Sequence, residues 1–181
     1  MKIGPSPAPS PYDFSPHRKG SMKHTISVLL QNKPGALSRV TGLFSGRGFN
    51  IESLCVAETQ DSKTSCLTLT TRGNDLIIEQ ITKQLHKLID VIKVTDISEG
   101  EFVEREMVLI RVKAEASTRA EVLRIIDIFR GKVVDVSPTT YAVELTGPET
   151  KINAIIDMLS PIGIKEIVRT GTIAMARAPK K

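Results

Sequence analysis

Ile26-Ser27-Val28-Leu29-Leu30-Gln31-Asn32-Lys33-Pro34-Gly35-Ala36-Leu37-Ser38-Arg39-Val40-Thr41-Gly42-Leu43-Phe44 changes its hydrophobic period in mid-course. Before Asn32 the apolar residues alternate. Ile26, Val28 and Leu30 fall on one face, so His24–Gln31 reads as a half-buried strand. After Gly35 the spacing becomes helical, with Leu37, Val40 and Phe44 on one stripe, and Leu37–Arg47 reads as an amphipathic helix. Between them lies Asn32-Lys33-Pro34-Gly35, where Pro34 suits the second and Gly35 the third position of a type II turn. Gly48 stands where a helix ends in a left-handed cap.

Working outward, Ile51–Thr59 and Ser65–Thr71 read as a hairpin across polar Gln60–Thr64. Asp75–Ile89 follows as a helix, with Ile78, Ile81, Leu85 and Leu88 on one stripe, and Val91–Ile97 as a fourth strand. The order is βαββαβ, and it recurs. Glu106–Lys113 reads as a strand and Thr118–Arg130 as a helix that Gly131 stops. Val133–Val136 and Tyr141–Thr146 pair across Ser137-Pro138. Glu149–Leu159 is a helix and Ile164–Arg169 the last clear strand. Two such units predict an α+β protein of two ferredoxin-like domains, each with two helices on one face of a four-stranded antiparallel sheet. The first spans residues 22–97 and the second 106–175, with polar, acid-rich Ser98–Arg105 as the joint. A single open sheet face and free edges in each unit favour a homodimer.

The ends differ from this body. Residues 1–21 include Pro5, Pro7, Pro9, Pro11 and Pro16 and read as a disordered tail or an appended segment, with Gly20-Ser21-Met22 resembling a junction before a native start. The chain has 181 residues and a formal charge of +5, yet residues 22–175 carry 19 basic and 19 acidic side chains. The excess sits in the two tails, 1–21 and 176–181, which argues against a nucleic-acid-binding face. Aromatic residues make up 4% of the chain, too few for a base-stacking platform. No apolar run is long enough to span a membrane, and no secretory signal is present, so a cytoplasmic protein is expected.

Catalytic chemistry is poorly represented. His17, His24 and His86 are scattered, and Cys55 and Cys66 lack metal-ligand spacing and read as reduced thiols. There is no nucleophile elbow, phosphate loop or dinucleotide fingerprint. The informative segment is again the turn. A strand passing into a helix N-terminus at Asn32–Leu37 presents free backbone N–H groups and the positive end of the helix dipole, which suit a carboxylate. Gly35 and Ala36 have little bulk. Asn32 and Asn50 can hold an ammonium through their amide oxygens, while Leu37 and Ile51 offer apolar contact. The set matches an aliphatic amino-acid zwitterion, although the same residues also make an ordinary turn.

The run Asn32-x-x-Gly35-Ala36-Leu37-Ser38-Arg39-Val40 closely resembles the small regulatory subunits of acetolactate synthase, also called acetohydroxyacid synthase. So do Arg47-Gly48-Phe49-Asn50-Ile51-Glu52-Ser53-Leu54, Phe129-Arg130-Gly131-Lys132-Val133 and Tyr141-x-Val143-Glu144-Leu145-Thr146-Gly147. The resemblance extends over residues 22–178. It implies an N-terminal ACT domain and a non-catalytic chain that binds the catalytic (large) subunit, whose cofactors are thiamine diphosphate, magnesium and FAD. It implies activation of that subunit and feedback inhibition by valine or another branched-chain amino acid at the ACT–ACT dimer interface. Carried over by motif, Asn32, Lys33, Pro34, Gly35, Ala36 and Leu37 hold the effector's polar end from one chain, with Lys33-Pro34 stiffening the turn. Asn50 and Ile51 close the site from the other chain. Ser38 and Gln80 are weaker candidates for transmitting the effect. The second half has Ala114-Glu115-Ala116-Ser117 at the corresponding turn, so no second equivalent site is expected there. The competing readings are an amino-acid sensor acting on another target, a ferredoxin-like enzyme and an RNA-binding sheet. They would need an attached partner domain, a catalytic constellation and exposed strand aromatics, respectively.

Overall fold

A computed structural model describes residues 22–178. The tail expected over residues 1–21, with His17, and the last basic residues 179–181 lie outside the described residues. The first unit runs β1 (Met22–Gln31), α1 (Ala36–Gly46), β2 (Ser53–Glu58), β3 (Thr64–Gly73), α2 (Asp75–Leu85) and β4 (Val91–Asp96). The second runs β5 (Phe102–Lys113), α3 (Arg119–Ile128), β6 (Lys132–Val136), β7 (Thr140–Gly147), α4 (Glu149–Leu159) and β8 (Ile164–Arg169), followed by β9 (Ile173–Ala176). The sheets are ordered β2-β3-β1-β4 and β6-β7-β5-β8, with every neighbouring pair antiparallel. These are the two expected ferredoxin-like βαββαβ folds.

Register follows from the alternation. Val28 of β1 lies opposite Leu67 of β3 and Val94 of β4, so one row of apolar side chains crosses the sheet toward the helices. Ile26, Val28, Leu30, Leu67 and Leu69 are buried there against Val40 and Phe44 of α1 and Ile78, Ile81 and Leu85 of α2. In the second unit Ile110 takes the place of Val28, opposite Val143 and Ile167. Its core gathers Val108, Ile110, Val112, Val143 and Leu145 under Val122, Ile126, Ile152, Ile155 and Leu159. Each such side chain contributes about 1.5–3 kcal/mol relative to an exposed one.

The helix ends carry two corrections. α2 stops at Leu85 rather than Ile89. The Lys87 and Leu88 N–H groups bond to Gln84 and Leu85 carbonyls, a tighter i→i+3 winding that turns the chain toward β4 and leaves Ile89 exposed. At the end of α3 the left-handed residue is Arg130 (φ 54°), not Gly131. The Gly131 N–H bonds to the Ile126 carbonyl and the Arg130 N–H to that of Asp127, closing a Schellman motif one residue earlier than expected. Gly131 serves a different need: a Cβ there would meet the Glu144 carbonyl and Ile126 Cγ2 at 3.3 Å.

The joint and the C-terminal end carry a third. Ser98–Arg105 was expected to be a polar linker, but it is strand from Phe102 onward, because it has a partner that was not foreseen. β9 pairs with Phe102–Arg105, so β8 and β9 form one long edge along β5, interrupted at Thr170–Thr172 where Gly171 has φ +81°. Ala176, placed at the start of the basic tail from sequence, belongs to this strand. Cys55 and Cys66 are free thiols on β2 and β3.

Candidate functional site

The turn after β1 is built as its residues require. The Ala36 N–H donates to the Lys33 carbonyl at 3.2 Å, and Gly35 has φ 84° and ψ −11°, the third position of a type II turn. Pro34 occupies the second. Asn32, Lys33, Pro34 and Gly35 are all exposed, while Ala36 is buried in the core. Gly35 is thus the N-cap of α1 and brings no capping side chain.

The other described helix starts are different. α2 is capped by Asn74, whose side chain accepts from the Ile77 N–H at 3.0 Å, and has Asp75 in its first turn. α3 carries Glu121 and α4 Glu149 in their first turns. The Glu149 N–H also meets Glu104 Oε1 at 3.4 Å. α1 has no acid in its first turn. Its first-turn N–H groups and the positive end of its dipole therefore have no carboxylate from the helix's own first turn beside them.

Three residues that the sequence reading did not single out complete this corner. The Arg39 guanidinium runs back under the turn, 3.8 Å from where a Cβ on Gly35 would stand, and is paired with Asp90. Asp90 is buried, and its carbonyl accepts the Gln31 N–H at 2.8 Å, so the pair ties the first turn of α1 to the end of β1. Glu58, at the end of β2, accepts from Asn32 Nδ2 at 2.9 Å. The same amide donates to the Ser62 carbonyl at 2.9 Å, which leaves Asn32 Oδ1 to accept. An acceptor oxygen beside a carboxylate suits an ammonium group, as the helix start suits a carboxylate. Arg39 stands four residues after Gly35, one helical turn on, and was legible as a neighbour. Glu58 and Asp90 reach the corner only through strand register.

Asn50 and Ile51 are not part of this corner in the same chain. They precede β2 at the other end of the sheet. Ser53 lies level with Thr70 and Thr25, whereas Glu58 lies level with Ser65 and Leu30. The rise from Thr25 to Leu30 alone is roughly 17 Å at about 3.3 Å per residue. The Asn50 side chain is exposed and its carbonyl accepts from Thr71 Oγ1 at 2.6 Å. Leu37 and Ile51 are half-buried against the first core, which limits what they offer a ligand. Ser38 is exposed beside the turn, with its carbonyl accepting from Thr41 Oγ1. Gln80 is exposed on α2 among Leu76, Glu79 and Lys83, outside the corner.

Among the described residues no group of three or more His, Cys, Asp or Glu side chains could hold a metal ion, and no helix is long and apolar enough to cross a membrane. Two βαββαβ units, the first with an open helix start beside its first strand, define an ACT-domain protein, and residues 26–93 match the family model described as AHAS small subunit-like ACT domain. Residues 105–178 match a second model, small subunit of acetolactate synthase. The chain is 52% identical over 162 residues to the acetolactate synthase small subunit of Aquifex aeolicus, covering 88% of this chain and 84% of that one. It is 51% identical to the Haemophilus influenzae small subunit, with 88% and 98% covered. The crystal structure of the small subunit from Thermotoga maritima superposes with a TM-score of 0.80 at 41% identity, over 88% of this chain and 99% of that one. The chain belongs to the acetolactate synthase small-subunit family.

Proposed function

We propose that this chain is the non-catalytic regulatory subunit of a cytoplasmic acetolactate synthase. It binds the catalytic large subunit, raises its activity and confers feedback inhibition by valine or another branched-chain amino acid. Thiamine diphosphate, magnesium and FAD belong, in this reading, to the catalytic partner.

The observation that supports it most directly is the start of α1. Each of the other described helices has an acid in its first turn, and α1 has none, with a glycine where a capping side chain would stand. A carboxylate ligand would supply the missing negative charge. Asn32 Oδ1 and Glu58 lie on the side where the α-ammonium of the same ligand would sit. Asn50 and Ile51, at the far end of the sheet, can join the site only from a second chain. The effector site therefore requires a homodimer, with Asn32–Leu37 from one protomer and Asn50–Ile51 from its partner.

Inhibition then follows from linkage. Valine shifts the enzyme only if it binds one arrangement of the two chains more tightly than another, and a site split between chains changes shape when they move. The test is titration calorimetry with valine, with leucine and lysine as comparisons, on the wild type and Asn50→Ala, alongside pyruvate turnover by the catalytic subunit with and without this chain. Saturable valine binding lost in the variant, and turnover raised by the chain and suppressed by valine, are expected. Turnover indifferent to the chain would refute the reading.

A further inference from the structure

The two halves of the chain meet at one end of the first sheet, the end where Asn50 lies. Beyond the second sheet, β5 and β9 continue as a two-stranded ribbon. At its root the edge strand is interrupted by Thr170–Thr172. There the Thr172 N–H donates to Ser53 Oγ at 3.0 Å, and Thr172 itself is buried. Gly171 presses so closely on β2 that a Cβ would stand 2.7 Å from Ser53 Oγ and 3.4 Å from the Leu54 carbonyl. The row Ser53, Thr70, Thr25 crosses the helix-free face of the first sheet, yet Thr70 and Thr25 are buried. A second tie lies alongside: Lys23 at the start of β1 pairs with Glu149 at the start of α4.

Ser53 is also the first residue of β2, reached from Asn50 through Ile51 and Glu52. That link is held along its length. Thr71 Oγ1 bonds the Asn50 carbonyl at 2.6 Å, the Glu52 N–H bonds the Thr70 carbonyl at 2.9 Å, and Arg72 pairs with Glu52 at 2.7 Å. A displacement of Asn50 therefore has little slack to absorb it before Ser53. Among the described residues the turn at Asn32–Gly35 has no comparable tie to the second half, and its bonds run to Glu58, Ser62 and Lys63 of the first.

We infer that Ser53, seated under the Gly171–Thr172 bulge, is the positioning residue that couples the Asn50 end of the effector site to the C-terminal half. This rests on the effector reading above and deepens it. The turn holds the effector, and the Asn50–Ser53 link passes the consequence to β9 and the second domain. Binding and response are then separable by mutation.

The test uses the full chain and its complex with the catalytic subunit, in Ser53→Ala and, as an independent way to break the same contact, Gly171→Ala. Hydrogen exchange without valine reads the contact itself, and the Thr172 amide is expected to exchange about tenfold faster in Ser53→Ala. Valine affinity by calorimetry is expected to stay within about threefold of wild type, and activation to persist, while the maximal inhibition by saturating valine falls by about half or more. Unchanged exchange at Thr172, or full inhibition despite its loss, would overturn the inference. So would a loss of valine affinity parallel to the loss of inhibition, which would make Ser53 part of the binding site. A wild-type complex that ignores valine would sink the effector reading and the coupling with it, whereas intact wild-type inhibition with silent variants would sink the coupling alone.

Discussion

The same corner is finished in two ways in the two halves. In the first, β1 passes to α1 through Asn32–Gly35, and the helix start is left open. In the second, Ala114 takes the place of Asn32 and is fully buried, with its N–H bonded to the Thr139 carbonyl at 2.8 Å. Arg119, where the first half has Leu37, reaches across the corner to the Pro138 carbonyl at 2.9 Å and lies 5.9 Å from the centre of the Tyr141 ring. Glu121 supplies the acid that the first turn of α1 lacks. One topology thus carries a corner whose helix start has no acid and one that is sealed only in that Glu121 and Arg119 occupy it, since residues 115–117 are as exposed as 33–35. The difference rests on a few side chains at the turn, not on the fold.

The largest effect on valine inhibition is expected from closing the open corner. Gly35→Asp supplies α1 with its own carboxylate and also forces a side chain onto a backbone with φ 84°. The concentration of valine giving half inhibition should rise by at least about tenfold, the ~1.4 kcal/mol scale of one charge-assisted hydrogen bond. Activation of the catalytic subunit should persist. Ser117→Asp, at the matching place in the sealed corner, should leave valine inhibition where it was. Equal responses from the two variants in reconstituted turnover would erase the functional contrast between the corners.

A second contrast lies at the far end of the central strands. His24 of β1 and Glu106 of β5 hold equivalent places, and each is buried against a partner on the neighbouring strand. His24 Nδ1 is 2.9 Å from Asp96 Oδ2. Glu106 instead accepts two bonds from Arg169, at 2.6 and 2.7 Å. The polarity of the pair is reversed between the halves, and the second is bidentate. Its hydrogen bonds to Glu106 raise the Arg169 guanidinium above its ordinary pKa, against the opposing pull of burial. A raised value means that this contribution is fully present below the unfolded-state pKa and is lost only as pH climbs past the folded one, above any working range. Arg169 therefore adds no pH dependence near neutrality. Glu106→Gln should cost about 3 kcal/mol in urea unfolding and His24→Gln about 1 kcal/mol. Reversal of that order would show that the single bond in the first half outweighs the fork in the second.

Sealing of the second corner is the next test. Arg119→Met keeps the stem but removes the guanidinium from the Pro138 carbonyl and from the Tyr141 ring, and should cost about 1–2 kcal/mol. Valine affinity should be unaffected if, as proposed, the effector is held at the first corner alone. A calorimetric titration that changes with this variant would place ligand in the second half as well.

How much of this was legible depended on whether a residue's partner is near in sequence. Ile26, Val28 and Leu30 announce a strand by themselves, and Pro34-Gly35 announces the turn type, since local backbone preference decides both. Glu149–Leu159 and Ile164–Arg169 have the bounds read from their patterns. The joint at Ser98–Arg105 was misread because Phe102–Arg105 becomes strand only through β9, a short segment with little pattern of its own. The same reason hid Glu58 and Asp90. Each is an unremarked acid in the sequence, and only the pairing of β2, β3, β1 and β4 brings them to the turn.

The smallest expected effects concern the helix ends, where the two halves differ at two successive residues. Gly48 and Arg130 both occupy the left-handed position after the first helix of their unit, with φ 69° and 54°. In the first half the residue beyond it is Phe49, whose ring packs edge-on against Phe44 with centroids 6.1 Å apart, the apolar contact that accompanies this cap. In the second half it is Gly131, which has no side chain to pack and instead lets β7 approach. A left-handed backbone is nearly free for glycine and costs other residues roughly 1 kcal/mol. Arg130→Gly should therefore stabilise the chain by about 0.5–1 kcal/mol, and Gly48→Arg should destabilise it by about 1 kcal/mol, both read from urea midpoints at constant slope. If Arg130→Gly fails to stabilise, then Arg130 makes up its backbone strain in the folded chain, and the two caps are alternative solutions of equal quality rather than a good one and a compromised one.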